Sequence, residues 1–324
     1  MNTSLRTFLA RAASPFEKVT KSVEYAFAYP FVAAWPTPIA VRFVRARKRV
    51  HIRGMTVTRL IQDNMKRVLG SPCDHRTVKE MARENYQLIK FFKLDYYLFV
   101  KKYPLSSQRW VTIHGVENLH HALGQARTVH FFTAHYGALY QLPLIIQPFG
   151  VIPVIALEHP GKGPLPHWED SIEKRFFETH IDDVYRKRAI HLYRRGTGFL
   201  PVYTRLKKGG VLGTVVDVPA ETGSSESATT IPFLGGRVSF CNEFARFALK
   251  TRALLIPVFL RIKHPAHYEM SIYQPLDTET WASKQGPVEA CMRHCFALIE
   301  SKIREDPAQW WLWKDLDHFW HGHA

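Results

Sequence analysis

From Trp110 onward the chain alternates short apolar, β-branched runs with amphipathic segments, and few folds tolerate that rhythm. Strand-like runs fall at residues 110–113, 128–133, 151–157, 189–193, 211–216 and 254–262. Helix-like segments fall between them at 116–126, 138–148, 168–186, 198–208 and 241–250. Runs with no polar alternation are buried on both faces, so the pattern predicts an α/β fold: a mainly parallel central sheet flanked by helices. A strand at 268–273 and a helix at 287–304 complete it. Upstream, residues 55–104 predict two helices. The second starts near Asp74, with Thr77 and Glu80 as a capping box. The segment 219–230 is polar and Gly/Ser-rich, which predicts a long loop able to cover a neighbouring site.

The N-terminal part reads differently. Residues 22–41 are mostly apolar and long enough to span a bilayer, yet Glu24, Pro30, Pro36 and Pro38 interrupt them, and the last two break a helix. Residues 42–53 follow with six Arg/Lys and no acid. Aromatic side chains Phe27, Phe31 and Trp35 beside a basic cluster predict a helical, membrane-associated segment that lies on an anionic leaflet. The expected organisation is therefore a membrane-associating segment at 1–54 and an α/β domain at 55–324. The whole chain repeats the charge bias, with 44 Lys+Arg against 28 Asp+Glu and a net charge of +16. That excess calls for an anionic partner. Nucleic acid is not expected, because no nucleic-acid module accompanies the charge. Four cysteines without a disulfide framework, and no cleavable leader, predict a reducing compartment. Cys291, His294 and Cys295 lie on a helical pattern with no second ligand pair, so no metal is expected.

Chemistry concentrates at residues 128–143. A buried run containing Val129, Phe131 and Phe132 ends in Ala134-His135-Tyr136-Gly137, and a second apolar segment follows. A strand there delivers His135 to its carboxyl end, where open α/β sheets gather their ligands. An imidazole at that position can remove a proton near neutral pH. Asp217 ends another apolar run, Val211 to Val216, and faces the same crevice.

Four blocks together resemble the bacterial lipid A late acyltransferase family. They are Thr133 to Tyr140, with His135; Leu206 to Asp217, a glycine turn, strand and terminal acid; Ile231 to Arg237, followed by Ala245 to Pro257; and the tail Asp306 to Trp313. The chain departs from the family at position 140, where Tyr140 replaces the acid five residues after the histidine. The resemblance implies an acyltransferase at the cytoplasmic face of the inner membrane, peripheral or monotopic. It would move a fatty acyl group from an acyl carrier protein or coenzyme A thioester to a hydroxyl or amine of a lipid or saccharide. No resident cofactor is implied, since the thioester is a co-substrate, and no cysteine or serine sits in a nucleophile motif. His135 is then the general base, with Tyr140 and Asp217 as its candidate partners. Gly137 would offer backbone N–H groups to the oxyanion, and Arg237 would bind phosphate. Glu221 is a further candidate at the substrate, as are Arg175 and, more weakly, Arg194.

Three readings of the missing acid stay open. Asp217, Glu221 or Glu158 replaces it in space; the acceptor is a better nucleophile, such as an amine; or the chain is a degenerate relative that holds acyl chains or supports a biosynthetic complex. The tail tryptophans Trp310, Trp311, Trp313 and Trp320 read as core or interfacial anchors.

Overall fold

The computed structural model describes residues 19, 22–36, 38–40, 42–43, 54–70, 75–102, 110–125, 127–149, 153–156, 174–194, 199–207, 211–220, 227–264 and 267–322. The basic cluster expected at Arg45, Arg47, Lys48 and Arg49 lies outside these residues. So do Glu158, Glu221 and the side chains of Arg175 and Arg194.

The strands in chain order are β1 (Val111–His114), β2 (Val129–Thr133), β3 (Pro153–Ala156), β4 (His191–Arg194), β5 (Leu212–Val215), β6 (Ala228–Phe233), β7 (Gly236–Cys241), β8 (Leu254–His264), β9 (His267–Ile272) and β10 (Leu276–Asp277). Eight of them form one large sheet in the order β1-β9-β8-β2-β5-β3-β4, with β10 paired to β8. The five strands β8, β2, β5, β3 and β4 are parallel to their neighbours, and β9 runs antiparallel to β8.

Side chains on the central strands alternate between two cores. Val129 and Phe131 of β2 join one apolar cluster, Phe132 and Ala134 the other. On β8, Ile256, Val258 and Leu260 face the first cluster, Leu255 and Phe259 the second. A sheet with two buried faces needs helices on both, and they are present. Tyr185 of the helix Thr179–Lys187 packs into the first cluster. The second is filled by Phe244 of the helix Glu243–Thr251 and Phe296 of the helix Pro287–Glu305. The long helix His75–Lys102 serves both, since Val78 and Ala82 join the second cluster and Leu94, Tyr96 and Phe99 the first.

Several expectations are corrected. The helix His75–Lys102 already includes Thr77, so Thr77 and Glu80 do not form its cap. The expected helix at 138–148 contains only one α-helical stretch, Leu142–Ile146, between two 3-10 turns. Residues 227–241, read partly as loop, form the antiparallel hairpin of β6 and β7, a separate two-stranded sheet. The expected covering loop reduces to residues 221–226, which lie outside the described set. The helix expected at 241–250 begins at Glu243, because Cys241 ends β7.

In the N-terminal segment, a π-helical turn (Glu24–Ala28) leads into a short α-helix (Tyr29–Ala34). Proline explains both features. Pro30 has no N–H, and the chain before it widens so that the Tyr29 N–H bonds the Glu24 carbonyl. Pro36 forces Trp35 into an extended conformation, which ends the helix. The inner face packs on the body through Tyr29, Val32 and Ala33. Val19, Val23, Phe27 and Phe31, four residues apart, are 49–71% exposed. That spacing makes one apolar stripe pointing outward. Trp35 is only partly buried, its ring 5.5 Å from those of both Phe31 and Phe43. Among the described residues no helix is long and apolar enough to cross a membrane.

Candidate active site

Thr133 of β2 pairs with Val215 of β5 in parallel register. Two residues further along each strand stand His135 and Asp217, so the register alone brings them side by side at the carboxyl edge of the sheet. The Val216 N–H bonds the Thr133 carbonyl at 2.9 Å, extending the ladder toward them. The His135 Nδ1–H donates to Asp217 Oδ1 at 2.8 Å, and the His135 backbone N–H donates to the same oxygen at 2.8 Å. Asp217 Oδ2 accepts from the Trp310 indole N–H at 2.8 Å. The carboxylate is fully buried, while the imidazole keeps 28% of its surface exposed. With Nδ1 tied to the carboxylate, Nε2 carries the lone pair, and no described residue bonds it. Burial lowers the His135 pKa, but the charge and hydrogen bond of Asp217, with the charge of Asp315, outweigh it and leave it above the ordinary histidine value.

The tail locks this corner. Trp310, its ring fully buried, pairs through the backbone with Tyr136. The Trp311 N–H donates to the His135 carbonyl at 2.8 Å, and its indole N–H to the Gly137 carbonyl at 3.1 Å. Asn85 donates to the carbonyls of Ala308 and Trp310, so the helix His75–Lys102 holds the tail in turn. The tryptophans thus do more than anchor the core, because two of them fix the imidazole and its carboxylate. The readable signal was chemical: a buried indole N–H must find an acceptor, and a buried carboxylate must find donors.

Gly137 has a different role from the one expected. Its N–H donates to the Gln309 carbonyl and that of Ala138 to the Leu260 carbonyl, each at 2.9 Å. Neither is available to an oxyanion. Gly137 sits at φ +54°, where an added Cβ would meet the Leu260 carbonyl oxygen at 2.0 Å. Glycine is needed so that the turn after β2 can lie against β8. Gly137→Ala is expected to cost roughly 3 kcal/mol or more, the upper range for strain combined with overpacking. A thermal melt that matches the parent protein would contradict this.

Tyr140 does not take the place of the missing acid. Its ring stacks 5.6 Å from Phe92 and lies edge-on to Phe177 at 5.3 Å. Trp311 touches both Tyr140 and His135, with centroids 5.8 and 6.0 Å away. Tyr140 therefore belongs to an aromatic wall beside the imidazole, and Asp217 is the group that holds Nδ1. Arg237 is exposed on β7, where its backbone pairs with His321. A second histidine on β2, His130, is wholly buried against Thr214, and burial pushes its pKa down to about 3. It is a neutral core residue, distinct from His135 by position on the same strand.

A solvent-reachable imidazole held by a buried carboxylate thus stands at the carboxyl edge of a parallel sheet, where α/β proteins gather their ligands. The chain belongs to the bacterial lipid A biosynthesis acyltransferase family, which it matches over residues 18–316. It is accordingly an acyltransferase acting on lipid-like substrates, and the family match takes in most of the N-terminal segment as well as the α/β body. No curated protein matches the sequence. Among solved structures, the 1-acyl-sn-glycerophosphate (LPA) acyltransferase PlsC from Thermotoga maritima is similar at 13% identity and a TM-score of 0.36. That match covers 90% of this chain and 97% of the other.

Proposed function

We propose that the protein transfers a fatty acyl group from an acyl carrier protein or coenzyme A thioester to a hydroxyl or amine of a lipid or saccharide, with His135 as general base. The observation that carries this reading is the 2.8 Å bond between His135 Nδ1 and a fully buried Asp217, which leaves Nε2 free. In the reaction, Nε2 accepts the proton of the acceptor's hydroxyl or amine as its oxygen or nitrogen attacks the thioester carbonyl. The tetrahedral intermediate collapses, the carbon–sulfur bond breaks, and the imidazolium returns its proton to the leaving thiolate. Asp217 stabilises the imidazolium by charge and fixes the ring, so it is a positioning residue. The aromatic wall of Phe92, Tyr140, Phe177 and Trp311 supports the reading by offering an apolar bed for a chain beside the base.

The alternative of a degenerate, acyl-holding relative was motivated by Tyr140. Asp217 supplies the charge whose absence suggested it, which favours turnover. The test is direct. Purified protein is incubated with an acyl carrier protein or coenzyme A thioester and lipid or saccharide acceptors, and acceptor mass is followed. An acceptor heavier by one acyl group is expected, and thioester hydrolysis alone, or no reaction, would overturn the proposal.

Attachment at the cytoplasmic face of the inner membrane is part of the same reading. The exposed stripe of Val19, Val23, Phe27 and Phe31 supports it, together with the net charge of +16. Replacing Phe27 and Phe31 by serine removes two interfacial aromatics, each worth on the order of 1–2 kcal/mol of apolar burial. Co-sedimentation with anionic vesicles is expected to fall by tenfold or more on that scale. Undiminished sedimentation of the double variant would contradict the attachment.

A further inference from the structure

A cavity of about 560 Å³, not lined by His135, lies between the N-terminal segment and the body. Ala26, Pro30 and Ala33 form its roof, and Tyr97, Phe176 and His180 line its other walls. Small residues on the roof leave room where larger ones would fill the gap. The walls are largely apolar, with two polar features. His180 stacks on Tyr97 at 4.4 Å, and its buried Nε2 has no hydrogen-bond partner among the described residues. Lys101, also lining the cavity, is exposed, and no described acid pairs with it. A buried nitrogen without a partner is costly unless something fills the cavity and bonds it.

The roof residues belong to the same segment as the outward stripe of Val23, Phe27 and Phe31, and at helical spacing they stand on the face next to it. A bilayer that took up the stripe would therefore reach the neighbouring cavity and the exposed Lys101. Its volume falls within the range of cavities that enclose an organic ligand. We propose that this cavity holds one acyl chain of an anionic bilayer phospholipid, with Lys101 at the phosphate and His180 Nε2 at the ester oxygen. The bound lipid would pin the N-terminal segment to the helix His75–Lys102, while the outward stripe carries the attachment itself. The inference rests on the membrane attachment proposed above and is independent of the transfer chemistry.

The experiment uses the full chain carrying His135→Ala, so that turnover plays no part. Phosphatidylglycerol vesicles contain a small fraction of phosphatidylglycerol with a diazirine at the end of one acyl chain. After irradiation, adducts are mapped by mass spectrometry. Adducts on Tyr97, Val100 or Phe176 are expected. Ala26→Phe, which fills the cavity from the roof, should lower them about tenfold, the scale of one lost well-packed contact. Vesicle co-sedimentation, read in parallel, should stay unchanged. His180→Phe fills the cavity from the opposite wall and serves if Ala26→Phe does not fold. Adducts confined to Val23, Phe27 and Phe31, or equal cavity labelling in a folded, filled variant, would overturn the proposal. Loss of co-sedimentation in the His135→Ala protein itself would instead count against the membrane attachment. A phosphatidylcholine probe should label the cavity less, and Lys101→Gln should erase that preference. No preference in the parent protein would overturn the assignment of Lys101.

Discussion

Asp217→Asn is expected to lower acyl transfer by roughly a thousandfold or more while the protein stays folded, on the scale seen when a triad carboxylate becomes an amide. The hydrogen bonds explain why so conservative a change costs so much. Asp217 Oδ1 accepts two hydrogen bonds from His135, and Oδ2 accepts one from Trp310. An asparagine has only one acceptor oxygen. If that oxygen faces His135, the amide N–H₂ is set against the Trp310 indole N–H. If it faces Trp310, the N–H₂ meets the His135 backbone N–H and favours the tautomer with its proton on Nε2. Either arrangement leaves a buried donor opposed, at a cost of about 1–3 kcal/mol. The charge is lost in both. The pH profile should change with the rate. In the parent protein the base works only when deprotonated, so activity should rise with pH through an apparent pKa above the ordinary histidine value. With Asp217 neutralised, burial is no longer outweighed, and the midpoint should move to lower pH. An unchanged rate and midpoint would show that Asp217 does not act on His135.

The sheet was legible because its strands are buried on both faces. Phe131 and Phe132 are consecutive and both buried, so the run carries no alternation that could be mistaken for a surface strand. The β6–β7 hairpin was harder to read. Ile231 and Phe233, then Val238 and Phe240, have the right period of two and are buried against the helix side. However, Pro232 interrupts one strand, and the Gly/Ser-rich stretch before it reads as loop. Trp310 sits between its buried neighbours in the second cluster, where only the fold brings it to Asp217.

The candidate site was half legible. His135 could be placed at a strand end from its own neighbourhood. Its partner could be named only as one of three acids, Asp217, Glu221 or Glu158, since Asp217 is 82 residues away and only the β2–β5 register sets the two side by side. Local sequence instead pointed to position 140, where the family carries an acid and this chain carries Tyr140. The oxyanion expectation failed for a related reason. The backbone N–H groups of Gly137 and Ala138 are free in the sequence, and they become committed only when β8 and the tail pack against the turn. Tertiary contacts thus decide which polar groups remain available for chemistry.

If His135 removes the acceptor's proton, His135→Ala must lose the transfer step and little else. The variant should fold, because Asp217 keeps its bonds from the backbone N–H of residue 135 and from Trp310. Its substrate binding should be little changed, since the imidazole acts on the proton rather than on the acyl chain. The measurement is the single-turnover rate of acyl transfer from a preformed complex of protein, thioester donor and acceptor, with melting temperature and donor binding read alongside. A fall of about a hundredfold or more, with normal melting and binding, is the predicted result. Transfer at a near-normal rate in the folded variant would contradict the account.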